Sequence, residues 1–315
     1  MAQSWMLVQV VPILRAVNQP IRITTWNVQG ARLLTRRNLI DAICQLHDID
    51  VICLQDCRFY SFNYSSQHYN WLSSSAAATE SSKRDCYILT RKQAGLKIHQ
   101  FTIGLPNEAC FVVCLIRRQT QVFSVVSAYM PCNGHPNASS GYEELDLTIT
   151  KLQEEYPSLP LVICGDFNAH LSTELYENDV ELTGLIGPNL LHSESNENGE
   201  MLAGIAAIHN LGTATTLFSS STIITRTSGS VQSQLDHILI HQNMVQSVLN
   251  VYGEWQSLSE HKVIVMDVSP QPSEFEYIPE PPRRPFYNIK ALGNTKVAKD
   301  FEASIASAVL LSPEL

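Results

Sequence analysis

A chain of 315 residues has room for one large domain or two small ones, at roughly 100–200 residues per domain. With 44% hydrophobic and 16% charged residues it is neither a disordered nor a fibrous sequence, and it reads as a soluble globular protein. Its net charge of −9 is the opposite of what a phosphate-neutralising basic module carries, so a polyanionic substrate would have to be met by a local basic patch or by metal ions.

In chain order, the apolar stretch Trp5–Leu14 is interrupted by Gln9 and closed by Arg15. It is too short to span a bilayer and lacks the basic residues that precede the core of a signal peptide, so residues 1–20 read as an extension. Runs with a period of two, or continuously apolar and bounded by turn residues, predict strands. They cover Ile21–Val28, Asp50–Leu54, Cys86–Thr90, Cys110–Ile116, Val122–Met130, Leu159–Cys164, Leu235–Ile240 and Lys262–Val268. Helical spacing appears in Leu33–Leu46 (Leu39, Ile43, Leu46), Gly141–Tyr156 (Leu145, Ile149, Leu152, Tyr156) and Asn198–Leu211 (Leu202, Ile205, Ile208, Leu211). The serine- and alanine-rich stretch Ser65–Ser82 reads as a flexible loop. Strands and helices that interleave in this way predict sheets covered by helices.

Beyond Val268 the composition changes: Pro270, Pro272, Pro279, Pro281, Pro282 and Pro285 mark a linker. Thr295–Leu311 then carries Val297, Phe301, Ile305 and Val309 on one face of an amphipathic helix. The expected division is an extension over 1–20, a domain over 21–268, and a linker with helix over 269–315. Cys53, Cys110, Cys114 and Cys164 lie within apolar runs and read as buried thiols of a reducing compartment. Their spacing argues against a structural zinc.

Most of the predicted strands deliver polar residues at or near one end: Trp26-Asn27, Gln55-Asp56, Tyr129-Met130-Pro131, Gly165-Asp166-Phe167-Asn168, Leu235-Asp236-His237 and Ser259-Glu260-His261. In layered sheets such ends converge on one edge, where sites are built. Taken singly, Asp166 in its turn or Asn27 before Gly30 needs no more than a capping or Asx-turn role. Asp236 is different, because a carboxylate within a strand must find a partner. Unsatisfied burial costs roughly 2–7 kcal/mol for a polar group and more for a charge. His237 points to the opposite face of the strand, which leaves His261 as that partner.

The order of these six motifs resembles the endonuclease/exonuclease/phosphatase superfamily. Within it the chain is most similar to the endonuclease domain of non-LTR (LINE-type) retrotransposons, over about Ile21 to Val268. The proline-rich tail with Arg283-Arg284-Pro285 resembles the connector into a reverse transcriptase, and with no polymerase following, the chain reads as a truncated or solitary copy.

The resemblance implies an α/β fold of four layers, two packed mixed sheets flanked by helices. It implies Mg²⁺-dependent (or Mn²⁺-dependent) phosphodiester hydrolysis on DNA by an intracellular, nuclear protein, with no membrane and no obligate protein partner. Asn27 and Asn168 would hold phosphate and water, Asp166 would orient or deprotonate the water, and Tyr129 would contact the phosphate or leaving oxygen. Asp236 would fix the tautomer of His261, which would face a phosphoryl oxygen, while Asp56 and Glu260 occupy the metal-ligand positions.

A divalent ion with hard oxygen ligands suits the negative charge that develops on phosphate oxygens, and it allows an acidic protein to act on a polyanion. Two positions depart from the pattern, which has Gln-Glu for Gln55-Asp56 and Ser-Asp-His for Ser259-Glu260-His261. Each change alters carboxylate reach by one methylene, against a cation that demands near-ideal octahedral distances. The same motifs admit two other readings: a phosphoesterase acting on lipid or inositol phosphates, and a catalytically decayed binding module.

Overall fold

The computed structural model describes residues 19–58, 63–73, 86–100, 110–118, 121–157, 159–178, 182 and 184–269. The proline-rich linker, the amphipathic helix after it and the Trp5–Leu14 stretch lie outside the described residues.

Two sheets carry the fold. The first has the order β14-β15-β1-β2-β5-β4-β3, with β1 Ile21–Asn27, β2 Val51–Gln55, β3 Asn63–Ser65, β4 Tyr69–Ser73, β5 Tyr87–Arg91, β14 Val248–Glu254 and β15 Val263–Val268. The second has the order β10-β13-β9-β8-β7-β6, with β6 Leu96–Gln100, β7 Cys110–Arg118, β8 Gln121–Tyr129, β9 Leu161–Asp166, β10 Leu211–Thr213 and β13 Asp236–His241. A separate two-stranded ribbon pairs β11 Arg226–Ser228 with β12 Val231–Ser233. The helices are α1 Leu34–Leu46, α2 Ala138–Glu155, α3 Thr173–Asn178, α4 Glu197–Ile208 and α5 Ala214–Leu217.

The period of two along the strands separates three apolar layers. Ile21, Ile23, Val51, Cys53, Ile264 and Met266 from the first sheet meet Val112, Cys114, Val125, Val162, Cys164 and Ile238 from the second. On the outer face of the first sheet, Trp26, Ile52, Leu54, Leu89 and Val265 pack against Ile40 and Cys44 of α1. On the outer face of the second, Val113, Val126, Ile163 and Leu239 pack against Leu145, Ile149 and Leu152 of α2 and Leu202 and Ile205 of α4. The fold is therefore the expected four-layer α/β sandwich, with each fully buried aliphatic side chain contributing about 1.5–3 kcal/mol. The buried thiols Cys53, Cys114 and Cys164 are free and sit in the central layer, where burial pushes the thiols of Cys53 and Cys114 well up.

Several expectations are corrected. Within Ser65–Ser82, read as a loop, Tyr69–Ser73 forms β4 because Tyr69, Trp71 and Leu72 bury themselves against the sheet. Leu96–Gln100 and Val248–Glu254 are further strands that no apolar run had marked. Helix α1 buries Arg37, Ile40, Asp41 and Cys44 rather than the expected stripe, and Leu39 and Leu46 are exposed. The polar pair is tolerated because Arg37 Nη1 donates to the Ala31 carbonyl (3.0 Å), while Asp41 accepts from the Ser66 hydroxyl and the His68 amide. Helix α4 stops at Ile208, which is exposed, and Leu211 is buried in β10 instead.

Candidate active site

The parallel pairs β1/β2 and β8/β9 run their C-terminal ends to one edge of the sandwich. Across the sheets that edge is tied by Ser127 Oγ, which donates to the Leu54 carbonyl (3.2 Å) and accepts from Gln55 Nε2 (3.2 Å). In the second sheet Tyr129 is in register with Asp166, and Asp166 with Asp236. Residues in register on adjacent strands share a face, so the pairing alone sets these three side by side. Gly165 makes the close approach possible, since a Cβ there would overlap the Ala128 carbonyl of β8.

Each polar side chain is held by its neighbours. Asn27 ends β1, and its Oδ1 accepts from the Gln29 amide (3.0 Å), an Asx turn that leaves Nδ2 to donate to Asp166 Oδ2 (2.7 Å). The Asn168 amide donates to Asp166 Oδ1 (3.1 Å), and Asn168 takes a left-handed φ of 49°, a conformation asparagine tolerates. The side chain of Asn168 donates from Nδ2 to the Met130 carbonyl (3.0 Å), bracing the turn. His261 Nδ1 lies 2.9 Å from Asp236 Oδ2, and its Nε2 lies 4.0 Å from Asp166 Oδ2. The His261 loop is fixed to β1 through Ser259, whose hydroxyl donates to the Asn27 carbonyl (2.6 Å) and accepts from the His261 amide (3.1 Å).

The electrostatics follow from burial. Asp166 is desolvated and faces Asp236, and together these raise its carboxyl to about 6 although His261, Asn27 and Asn168 favour the ionised form. For His261 burial opposes the imidazolium, but the charge and hydrogen bond of Asp236, with the charge of Asp166, outweigh it and lift the ring to about 9. Its partner Asp236 is wholly buried, and the Asp236 and Leu235 amides both donate to Thr225 Oγ1. His237 points away from this site as alternation requires, with burial lowering its ring to about 4 and Thr215 Oγ1 at 3.1 Å from Nδ1.

Asn27, Tyr129, Asp166, Asn168, Asp236 and His261 therefore share one edge. The two carboxylates of the expected metal positions are each met by an arginine. Asp56, buried and with a left-handed φ of 52°, accepts from Arg58 Nε (2.9 Å) and Nη2 (2.7 Å). Exposed Glu260 accepts from Arg226 Nη2 and from Ser228 Oγ (both 3.2 Å). Neither arginine was singled out in the sequence. Arg58 carried a signal in standing two residues after Asp56, whereas Arg226, 34 residues from Glu260, carried none.

Asp166, Asp236 and His261 bring one donor atom each within 4.8 Å of one another, the one such buried cluster among the described residues. Because His261 Nδ1 is already bonded to Asp236, the cluster is first a hydrogen-bonded His261–Asp236 pair with Asp166 4.0 Å from the ring's other nitrogen.

A model of the endonuclease/exonuclease/phosphatase family matches residues 24–261. Among solved structures the chain is similar to the endonuclease domain of TRAS1, a telomere-specific non-LTR retrotransposon, at 17% identity, covering 80% of this chain and 100% of that one with a TM-score of 0.56. It is also similar to the AP endonuclease LMAP from Leishmania major (13%, 80% and 89%, TM-score 0.60). The human Nocturnin catalytic domain with bound sulfate is a third (17%, 80% and 93%, TM-score 0.54). At these identities the likeness is one of fold. No curated protein matches the sequence.

Proposed function

The chain belongs to the endonuclease/exonuclease/phosphatase family, whose members typically hydrolyse phosphodiesters and phosphate esters, and on that premise we propose that it is a divalent-metal-dependent endonuclease that nicks DNA. The observation that carries this reading is the Asn27–Asp166 and Asp236–His261 pairing at one sheet edge. It sets a carboxylate with a raised pKa beside a buried imidazolium, the acid and base that phosphodiester hydrolysis needs.

Asp166 takes a proton from a water as the water oxygen bonds to phosphorus. Its pKa of about 6 makes it a stronger base than an ordinary carboxylate yet leaves it mostly ionised at neutral pH. Asn27 and the Asn168 amide hold both Asp166 oxygens, so the base is oriented before substrate arrives. His261, charged at neutral pH and aimed by Asp236, donates from Nε2 to a phosphoryl oxygen as negative charge builds there. The bond from phosphorus to the leaving oxygen breaks, that oxygen takes a proton from solvent water while Asp166 gives its own back to solvent, and the products are a hydroxyl end and a phosphomonoester end. Tyr129, half-buried on the same face, is placed to meet the phosphate or the leaving oxygen.

For a hard cation Asp56 offers one carboxylate donor, held in this structure by Arg58. It is a buried carboxylate on the site edge, and the Arg58 side chain that covers it is 55% exposed and can give way at small cost. Bound there, Mg²⁺ or Mn²⁺ would supply positive charge to the phosphate oxygens. A DNA substrate carries a nuclear location with it as part of the same proposal.

The paired arginines favour one rival reading, a site whose carboxylates have been silenced. The test is conversion of supercoiled plasmid to open circles with Mg²⁺ and with chelator, beside phosphate release from inositol phosphates. Chelator-sensitive nicking supports the endonuclease, release from inositol phosphates alone supports a phosphoesterase, and neither supports a decayed module.

A further inference from the structure

Helix α4 opens with Glu197-Asn198-Gly199 behind Asn196, and the two asparagines have different tasks. Asn196 caps the helix, its Oδ1 accepting from the Gly199 amide (2.8 Å). The same oxygen accepts from the His170 amide (2.9 Å), while Nδ2 donates to the Asn168 carbonyl (3.1 Å). Asn198 lies inside the helix and is wholly buried, yet its Nδ2 is turned to the carbonyls of Pro131 (3.0 Å), Asn168 (3.1 Å) and Phe167 (3.4 Å). Its backbone amide donates to Asn133 Oδ1 (3.3 Å). Gly199 lets the helix come this close, since a Cβ there would overlap the His170 carbonyl. The first turn of α4 thus grips both the Asn168 turn and the chain that follows Tyr129.

The carbonyls held in this way lie past the last paired residues of the second sheet, where Tyr129 meets Asp166 and Asp166 meets Asp236. The ladder stops just short of the groups that orient Asp166, and α4 takes over from it. A buried amide is costly unless it is bonded, and further along the same face of α4 the buried Leu202 and Ile205 are apolar. We propose that Asn196 and Asn198 are positioning residues that fix the Asn168 turn against the chain after Tyr129, so that the Asn168 amide stays on Asp166 Oδ1 and the base keeps one orientation. The catalytic consequence rests on the endonuclease reading above, whereas the anchoring of the turn stands on the bonds alone. Asn196 and Asn198 act through Asn168 and not on the substrate, so their removal is expected to lower turnover and leave substrate affinity intact.

The test uses the whole chain as wild type, Asn196→Asp, Asn196→Ser and Asn198→Asp. Aspartate and serine cap a helix about as well as asparagine but offer no amide to the Asn168 carbonyl, so both Asn196 variants should unfold at nearly the wild-type temperature. Plasmid nicking is resolved into kcat and KM at saturating Mg²⁺. In both Asn196 variants kcat should fall about tenfold with KM within about twofold of wild type, because a small misplacement of a reacting group is felt in turnover. Asn198→Asp sets an acceptor against three carbonyls and should lose on the order of 100-fold in kcat. A loss in Asn196→Asp that Asn196→Ser does not share would be an effect of charge, and a rise in KM with kcat unchanged would make these residues substrate contacts. Either result overturns the proposal.

Hydrogen exchange at the Asn168 amide, followed by NMR without substrate, reads the anchor independently of activity. Faster exchange in both Asn196 variants at unchanged unfolding temperature supports it, and exchange at the wild-type rate overturns it. If Asn198→Asp does not fold, the two Asn196 variants decide. If the wild type does not nick plasmid, the endonuclease reading fails while the exchange result still decides whether α4 anchors the turn.

Discussion

His261 Nδ1 lies 2.9 Å from Asp236 Oδ2, with both side chains buried, so the imidazole has one orientation and its Nε2 is turned to the side where Asp166 waits 4.0 Å away. The pair is built from two distant stretches of chain, the start of β13 and the loop before β15. Neither residue can be removed without leaving the other mis-set. His261→Ala and Asp236→Ala should each lower nicking on the order of 10³-fold, and the double variant little further, because residues that act as a unit are not additive. Single-turnover nicking rates check this, and multiplicative losses would show that Asp236 serves only the fold.

The pH profile of kcat/KM should be bell-shaped. Activity needs Asp166 ionised, so it rises with pH through about 6, and it needs His261 protonated, so it falls above about 9. Asp236 raises both groups. In Asp236→Asn both limbs should therefore move to lower pH in what activity remains. A descending limb that stays in place would mean that His261 is not the acid.

On the proposed reading, Arg58 competes with a metal ion for Asp56. Removing the guanidinium in Arg58→Ala should lower the half-saturating Mg²⁺ concentration by up to about fivefold, in line with an exposed ion pair of roughly 0–1 kcal/mol. Titration of nicking against Mg²⁺ checks it. A higher requirement would place Arg58 in support of the ion instead.

Gly165→Ala tests the edge itself. The added Cβ would meet the Ala128 carbonyl, and spreading β8 from β9 at that point costs about 1–3 kcal/mol and shifts Asp166. Thermal unfolding should begin several degrees lower, and nicking should fall more than the stability loss explains.

Alternation along the strand turned His237 away from Asp236 and left His261 as the candidate partner, and the two are bonded. The layers were legible for the same reason: Ile21, Ile23 and Trp26 announce opposite faces of β1. Strands at the sheet edges were not. Leu96–Gln100 is short and half polar, and Tyr69–Ser73 hid beside a serine run, its burial coming from Trp71 stacking edge-on to Tyr64 and Tyr87. The α1 stripe was misread because hydrophobic spacing favoured Leu39 and Leu46, whereas Arg37 and Asp41 found partners in neighbouring loops. The arginines on Asp56 and Glu260 depend on side-chain placement, and for Arg226 on a strand pairing that motif order does not encode.

The most direct measurement of the central claim is plasmid nicking at pH 7.5 by wild type and by Asp166→Asn, each with Mg²⁺ and with chelator. Open circles formed by the wild type in Mg²⁺, lost with chelator and reduced at least 100-fold in Asp166→Asn, are the predicted result. Nicking that survives the Asp166 substitution, or that proceeds in chelator at the same rate, would contradict it.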